Sequence, residues 1–181
     1  IQFSGNVNAG EKIIAATAID PDTGAAGSIT ANNGLSAGTN IEMQTLLGDI
    51  TLMSTADAGQ NIELKTGTES GDGSGNISLT GSITAKDTLS AAKNITAETT
   101  SGNIDFANNV TAGEDITVTS TTGAVTMNGG EIKAGNDLTV LTAAQRVEGS
   151  EPDNKGKILL GNVTGTVWAG HAITITTEDS L

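Results

Sequence analysis

The chain has 181 residues and a formal net charge of −13, with 24 Gly, 2 Pro, 2 Phe, 1 Trp, no Tyr and no Cys. This excludes a disulfide framework, a thiolate nucleophile and a Cys-based metal site. One His cannot build a multi-histidine centre, and the acidic balance argues against nucleic acid or anionic lipid as partners.

The predicted elements begin with a recurring phrase: an apolar residue, any residue, Ala-Gly or a close variant, two polar residues, then Ile or Leu. It runs Val7 to Ile13, Leu35 to Ile41, Ala56 to Ile62, Leu89 to Ile95, Val110 to Ile116, Ile132 to Leu138 and Val167 to Ile173. A second phrase, Gly and a small or polar residue before Ile or Val, precedes the copies at Ile29, Ile50, Ile77, Ile104, Val125 and Ile158, and Ile1-Gln2-Phe3 supplies the first. In the cleanest unit the anchors Ile104, Val110, Ile116 and Val125 are spaced 6, 6 and 9, a repeat of 21 residues.

Each anchor opens a short run alternating apolar and polar residues, such as Ile116-Thr117-Val118-Thr119, which reads as a strand with one buried face. Runs this short bury their apolar faces only if coil stacks on coil. The expectation is an all-β parallel β-helix (β-solenoid) of about seven three-sided coils, filling residues 1–181 as a single segment of a longer repeat protein. A narrow core filled by Ile, Val, Leu and Ala explains the 2% aromatic content. At the usual inter-strand spacing, seven coils make a rod of about 34 Å.

Departures from the 21-residue unit are expected to be decorations. Coil four carries four anchors at six-residue spacing, Ile77, Ile83, Leu89 and Ile95, implying one extra side or a bulging loop. The corner after strand three is lengthened near 18–27, 67–75 and 143–156, and both prolines fall in these inserts, where neither interrupts a ladder.

The alternation of Gly-Asn-Ile-x-Leu with x-Ala-Gly-x-Asp-Ile-Thr-Val phrases, clearest at 75–80, 102–106, 110–118 and 132–142, resembles the filamentous-haemagglutinin-type repeats of bacterial surface proteins. The resemblance implies a right-handed coil, export by two-partner secretion and an extracellular, cell-surface fibre or stalk.

Candidate sites are few. Asp20, Asp22, Glu69 and Asp72 lie in turn-rich inserts and could donate oxygens to a Ca²⁺ cofactor, although solvated turns are the simpler reading. Trp168 stands in a column otherwise polar (Asn8, Ser36, Asp57, Ser90, Thr111, Lys133), so its indole should point outward as a possible ligand contact. Arg146, in the third insert, is a second possible contact. His171 falls in a column of turn residues and is expected to be exposed, without a partner that would make it catalytic.

Glu42 and Glu63 should stack on adjacent coils as a repulsive pair or weak cation site, with no Arg nearby in sequence to support acid–base catalysis. The outward Thr96, Thr117, Thr139 and Thr174 suggest an ice-binding array. The neighbouring column mixes Lys65, Glu98 and Leu141, so the stacked threonines read as strand formers.

The expected function is therefore structural and adhesive rather than enzymatic. Expected partners are flanking coils of the same polypeptide or end-to-end copies, and a cell-surface glycan or protein receptor, with no membrane insertion. The alternative is a carbohydrate-active β-helix enzyme or a sugar-binding module.

Overall fold

The computed structural model describes residues 1–18, 27–66, 83–100, 102–121, 123–127, 129–145, 158–160 and 166–180. These hold strands and corners only. Coil one comprises β1 (Gln2–Phe3), β2 (Val7–Ala9) and β3 (Ile13–Ala16). Coil two has β4 (Ile29–Ala31), β5 (Leu35–Ala37) and β6 (Ile41–Thr45), and coil three β7 (Ile50–Leu52), β8 (Ala56–Ala58) and β9 (Ile62–Thr66). Coil four contains β10 (Ile83–Ala85), β11 (Leu89–Ala91) and β12 (Ile95–Thr99), and coil five β13 (Ile104–Phe106), β14 (Val110–Ala112) and β15 (Ile116–Ser120). Coil six has β16 (Val125–Met127), β17 (Ile132–Ala134) and β18 (Asp137–Gln145), and coil seven β19 (Ile158–Leu160), β20 (Val167–Ala169) and β21 (Ala172–Ser180).

Every third strand pairs in parallel, giving three seven-stranded sheets: β1-β4-β7-β10-β13-β16-β19, β2-β5-β8-β11-β14-β17-β20 and β3-β6-β9-β12-β15-β18-β21. The alternation of the sequence becomes the alternation of burial. Anchors such as Ile29, Ile50, Ile83 and Ile104 stack in register and are fully buried, while the residue after each anchor faces outward. The second sheet contributes a column of Ala alone, Ala37, Ala58, Ala91, Ala112 and Ala134. Small residues there keep the three walls close enough for the larger anchors to meet.

Three sequence expectations are corrected. In coil four the first-sheet ladder runs Ile50–Ile83–Ile104, so Ile83 rather than Ile77 is the strand-one anchor. The extra hexad therefore falls in sequence between β9 and β10, while β7 pairs directly with β10; Ile77 itself lies outside the described residues. The third insert does not begin at 143, because β18 continues to Gln145 and pairs with β21 as far as Ser180. Both strands run for nine residues, and continued pairing satisfies backbone groups that a loop would leave to solvent. The corner between β19 and β20 is also longer than its counterparts, an interruption the repeat phrases conceal.

What makes the corners repeat is a set of side-chain rungs. The N–H of each anchor bonds the carbonyl of the residue preceding the next coil's anchor, as in Ile29 to Asp49 at 2.9 Å and Ile95 to Asp115 at 2.9 Å. The N–H of that preceding residue then needs another acceptor, and the polar residue one coil back supplies it. Before the third sheet, Asn61, Asn94, Asp115, Asp137 and Ala172 each donate a backbone N–H to the side-chain oxygen of Asn40, Asn61, Asn94, Asp115 and Asp137 in turn, at 3.0–3.3 Å. The other two corners do likewise, through Ser28 and Asn103 before the first sheet and Asn6 and Asn109 before the second. A net bond of this kind is worth about 1 kcal/mol, and leaving the donor unpaired costs more.

Candidate functional site

The corner after strand three carries the inserts, and a buried column of hydroxyls closes its neck. The fifth residue from each third-sheet anchor is Thr17, Thr45, Thr66, Thr99, Ser120, Thr142 and Thr177, a hydroxyl in every coil. Thr45, Thr66, Thr99, Ser120 and Thr142 are buried. Thr45 Oγ1 donates to Gly48 O, and Thr99 Oγ1 accepts the Gly102 N–H at 3.0 Å. Ser120 Oγ accepts the Gly123 N–H at 2.8 Å while donating to Gly102 O of the coil before at 2.9 Å. In coil one, Thr17 Oγ1 reaches Gly27 O at 2.8 Å across the whole first insert. The same hydroxyl thus clamps short and lengthened corners alike. Sequence reasoning missed this column because a Thr ending a strand looks like the start of the turn; its sevenfold recurrence was the available signal.

Trp168 and Lys133 form the second feature. They are partners in the second-sheet ladder, and Trp168 is 46% exposed, so the expected outward orientation holds. The Lys133 ammonium lies 5.7 Å from the indole centroid, within cation–π range. A Cβ on Gly170 would sit 3.3 Å from the indole, so the ring leans over that corner glycine. The arrangement joins a flat apolar face to a positive charge on an otherwise small, polar wall.

The third feature lies on the third sheet. Glu42 and Glu63 are neighbours in the ladder, as expected, but each has its own partner. Glu42 Oε1 accepts the Asn40 side-chain amide at 3.2 Å. Lys65 Nζ bridges Glu63 at 2.5 Å and Glu98 at 3.4 Å. The cation that the stacked acids require is thus Lys65, two residues along the same strand as Glu63. Hydrogen bonding to Glu63, with the nearby Glu98 charge, raises the Lys65 pKa above its ordinary 10.5 in spite of partial burial. A raised lysine pKa stabilises the fold below its unfolded value and loses that contribution as pH climbs through the folded one. Lys65→Met is therefore expected to lower stability by less than about 1 kcal/mol at neutral pH, as for other partly exposed pairs. In urea titrations from pH 8 to pH 12 the gap should close only above pH 10.5; a gap constant across that range would contradict the assignment.

His171 is exposed, as expected, and its side chain meets an acid of the preceding coil. Its Nδ1 lies 2.9 Å from Asp137 Oδ1, which also accepts the Ala172 N–H at 3.0 Å. The pair continues the column of Asn and Asp rungs into coil seven, a role the turn column did not reveal. The proposed calcium ligands Asp20, Asp22, Glu69 and Asp72, and the possible contact Arg146, lie outside the described residues. Among the described residues there is no group of three or more His, Asp or Glu placed to hold a metal ion, and no helix is long and apolar enough to cross a membrane.

Compared with protein-family profiles, curated proteins and solved structures, the chain matches none of them.

Proposed function

We propose that this chain is a rigid segment of an extracellular bacterial surface fibre of the filamentous-haemagglutinin kind, acting as a rod that displays loops and an adhesive patch. The observation that carries the reading is the register: three parallel ladders pass through seven coils, and three lengthened corners, β3–β4, β9–β10 and β18–β19, all join a third-sheet to a first-sheet strand without breaking a ladder. Such an arrangement converts sequence length into rod length, because each coil contacts only its neighbours. The outward columns of Thr, Ser, Asn and acids, with a net charge of −13, keep the walls solvated and mutually repelling. The wall acids are occupied in holding the fold, Glu63 by Lys65 and Asp137 by Ala172 and His171.

Trp168 with Lys133 is the contact proposed for a cell-surface glycan, a sugar ring stacking on the indole while the ammonium bonds its hydroxyls or a carboxylate. A glycan array and a cell-adhesion assay with the purified chain test this. Binding is expected, and Trp168→Ala should weaken it by at least about tenfold while leaving the far-UV β signal unchanged. The carbohydrate-active enzyme is the competing reading. Polysaccharide depolymerisation by the chain, abolished by Glu42→Gln or Glu63→Gln, would overturn the structural one.

A further inference from the structure

The sequence holds two Asn-Gly pairs, Asn33-Gly34 and Asn128-Gly129, and the fold accounts for only one of the two glycines. A Cβ on Gly129 would collide with the Ala107 carbonyl of the coil before, so close approach demands glycine there. At Gly34 a Cβ would meet Thr55 Oγ1 at 3.4 Å and Asn6 Oδ1 at 3.6 Å, ordinary contact distances. The Gly34 backbone also lies outside the left-handed region that favours glycine. The residues before the other second-sheet anchors are Asn6, Thr55, Thr88, Asn109, Glu131 and Thr166, and all carry polar side chains. Neither packing nor turn geometry explains Gly34.

What glycine does after Asn is chemical. With no side chain in the way, its backbone nitrogen reaches the preceding carboxamide carbon more freely than that of any other residue. We propose that Asn33-Gly34 is a self-modification site, an asparagine that deamidates through a cyclic imide, held in check by coil one. The Gly34 nitrogen gives up its proton to hydroxide and attacks Asn33 Cγ. The Cγ–Nδ2 bond breaks, and ammonia leaves with a proton from water. Water then opens the imide, at Cγ to give aspartate or at the main-chain carbonyl to give isoaspartate. Water and hydroxide are the only co-reactants, and Asn33 is exposed to both.

Both reacting nitrogens are tied to coil one. The leaving Nδ2 of Asn33 donates to Ser4 O at 2.6 Å, and the attacking Gly34 N–H donates to Asn6 Oδ1 at 3.1 Å. Attack requires the carboxamide to turn and the N–H to lose its proton, so both bonds must open first. They open together when coil one lifts from coil two, a local event far cheaper than global unfolding. The product opposes the return. A carboxylate at position 33 has no hydrogen to donate to Ser4 O. The isoaspartyl form adds a methylene to the backbone beside Gly34, whose carbonyl accepts the Val7 N–H at 3.0 Å. The corner thus records each opening of coil one and makes it lasting.

Peptide mapping by mass spectrometry of the full 181-residue chain, at neutral and mildly alkaline pH, reads the amide-to-acid conversion. Conversion at Asn33 should be at least about tenfold slower in the folded chain than in a peptide of residues 31–36, two hydrogen bonds being the guard. Asn6→Ala should speed it about fivefold, the weight of one such bond, whereas Asn6→Asp keeps the acceptor and should not. Gly34→Ala should melt with the parent and convert at least about tenfold more slowly. A large loss of stability in that variant would show that the fold needs the glycine, and would overturn the argument from Gly34.

In mild urea the conversion should rise in step with hydrogen exchange at the Val7 and Ile13 amides, which bond Gly34 O and Asn40 O across the same coil interface. Asn33→Asp should quicken exchange at these two amides while Ile104 and Val110 stay protected. A folded chain that converts as fast as the peptide, or an Asn6→Ala variant no faster than the parent, overturns the guard. Unchanged exchange at Val7 in Asn33→Asp overturns the effect on coil one.

Discussion

Phe106→Ala is expected to cost about 3–5 kcal/mol, the largest loss available from one side chain in this core. Phe106 is the one ring among the fully buried residues, and in the first-sheet ladder it lies between Ala85 and Met127. Coil four is the thinnest of the interior coils, offering Ala85, Ala91 and Ala97 at its inward second positions, and Phe106 compensates from the coil above. Collapse cannot fill the void, because ladders on three sides hold the coils at fixed spacing. Urea denaturation followed by far-UV circular dichroism, with Trp168 fluorescence as a second probe in coil seven, checks the result. Non-coincident transitions would place a break between coils four and five. A loss under about 1 kcal/mol would mean that the core repacks and that the fixed-spacing argument is wrong.

Ser120→Val is expected to cost about 2–4 kcal/mol, because one substitution orphans two buried backbone groups. The hydroxyl donates to Gly102 O and accepts the Gly123 N–H, joining two coils at the corner after β15. Valine has high strand propensity and the shape of threonine without the hydroxyl, so a loss beyond that of Ser120→Thr reports the hydroxyl rather than bulk or propensity. Ser120→Thr serves as the control, since the other six coils place Thr in this column. If Val and Thr variants melt together, the hydroxyl column is ornamental.

The architecture was legible because its signal is redundant. Ile116-Thr117-Val118-Thr119 alone shows an alternating strand, but seven copies in phase show what lies above and below it, and the registers of β11 with β14 and of β15 with β18 follow those columns. Coil four misled at Ile77 because a Gly-Asn-Ile phrase looks the same whether it pairs or loops out; only the ladder through Ile83 decides. The candidate site was less legible. Trp168 stood out by breaking a polar column, whereas its contact with Lys133 depends on side-chain conformation that spacing does not encode. Lys65 escaped because its partner Glu63 lies two residues away on the same outward face, whereas the repeat register aligns residues one coil apart. The Asp137–His171 contact required knowing that the column before the third sheet points its oxygens along the rod.

The rungs before the third sheet also measure how far the chain travels to complete a turn. Asn61 bonds Asn40 across 21 residues of sequence, and Asp137 bonds Asp115 across 22. Where the corner is enlarged the interval becomes 33, from Asn61 to Asn94, with a bond of similar length at its end. Closing a loop of 33 residues instead of 21 costs only about 0.4 kcal/mol of chain entropy, because the penalty grows with the logarithm of length. That increment is smaller than one hydrogen bond at the neck. The corner after strand three is therefore nearly indifferent to how many residues pass through it, and variation in loop content can accumulate there while the stacking period of the rod stays constant.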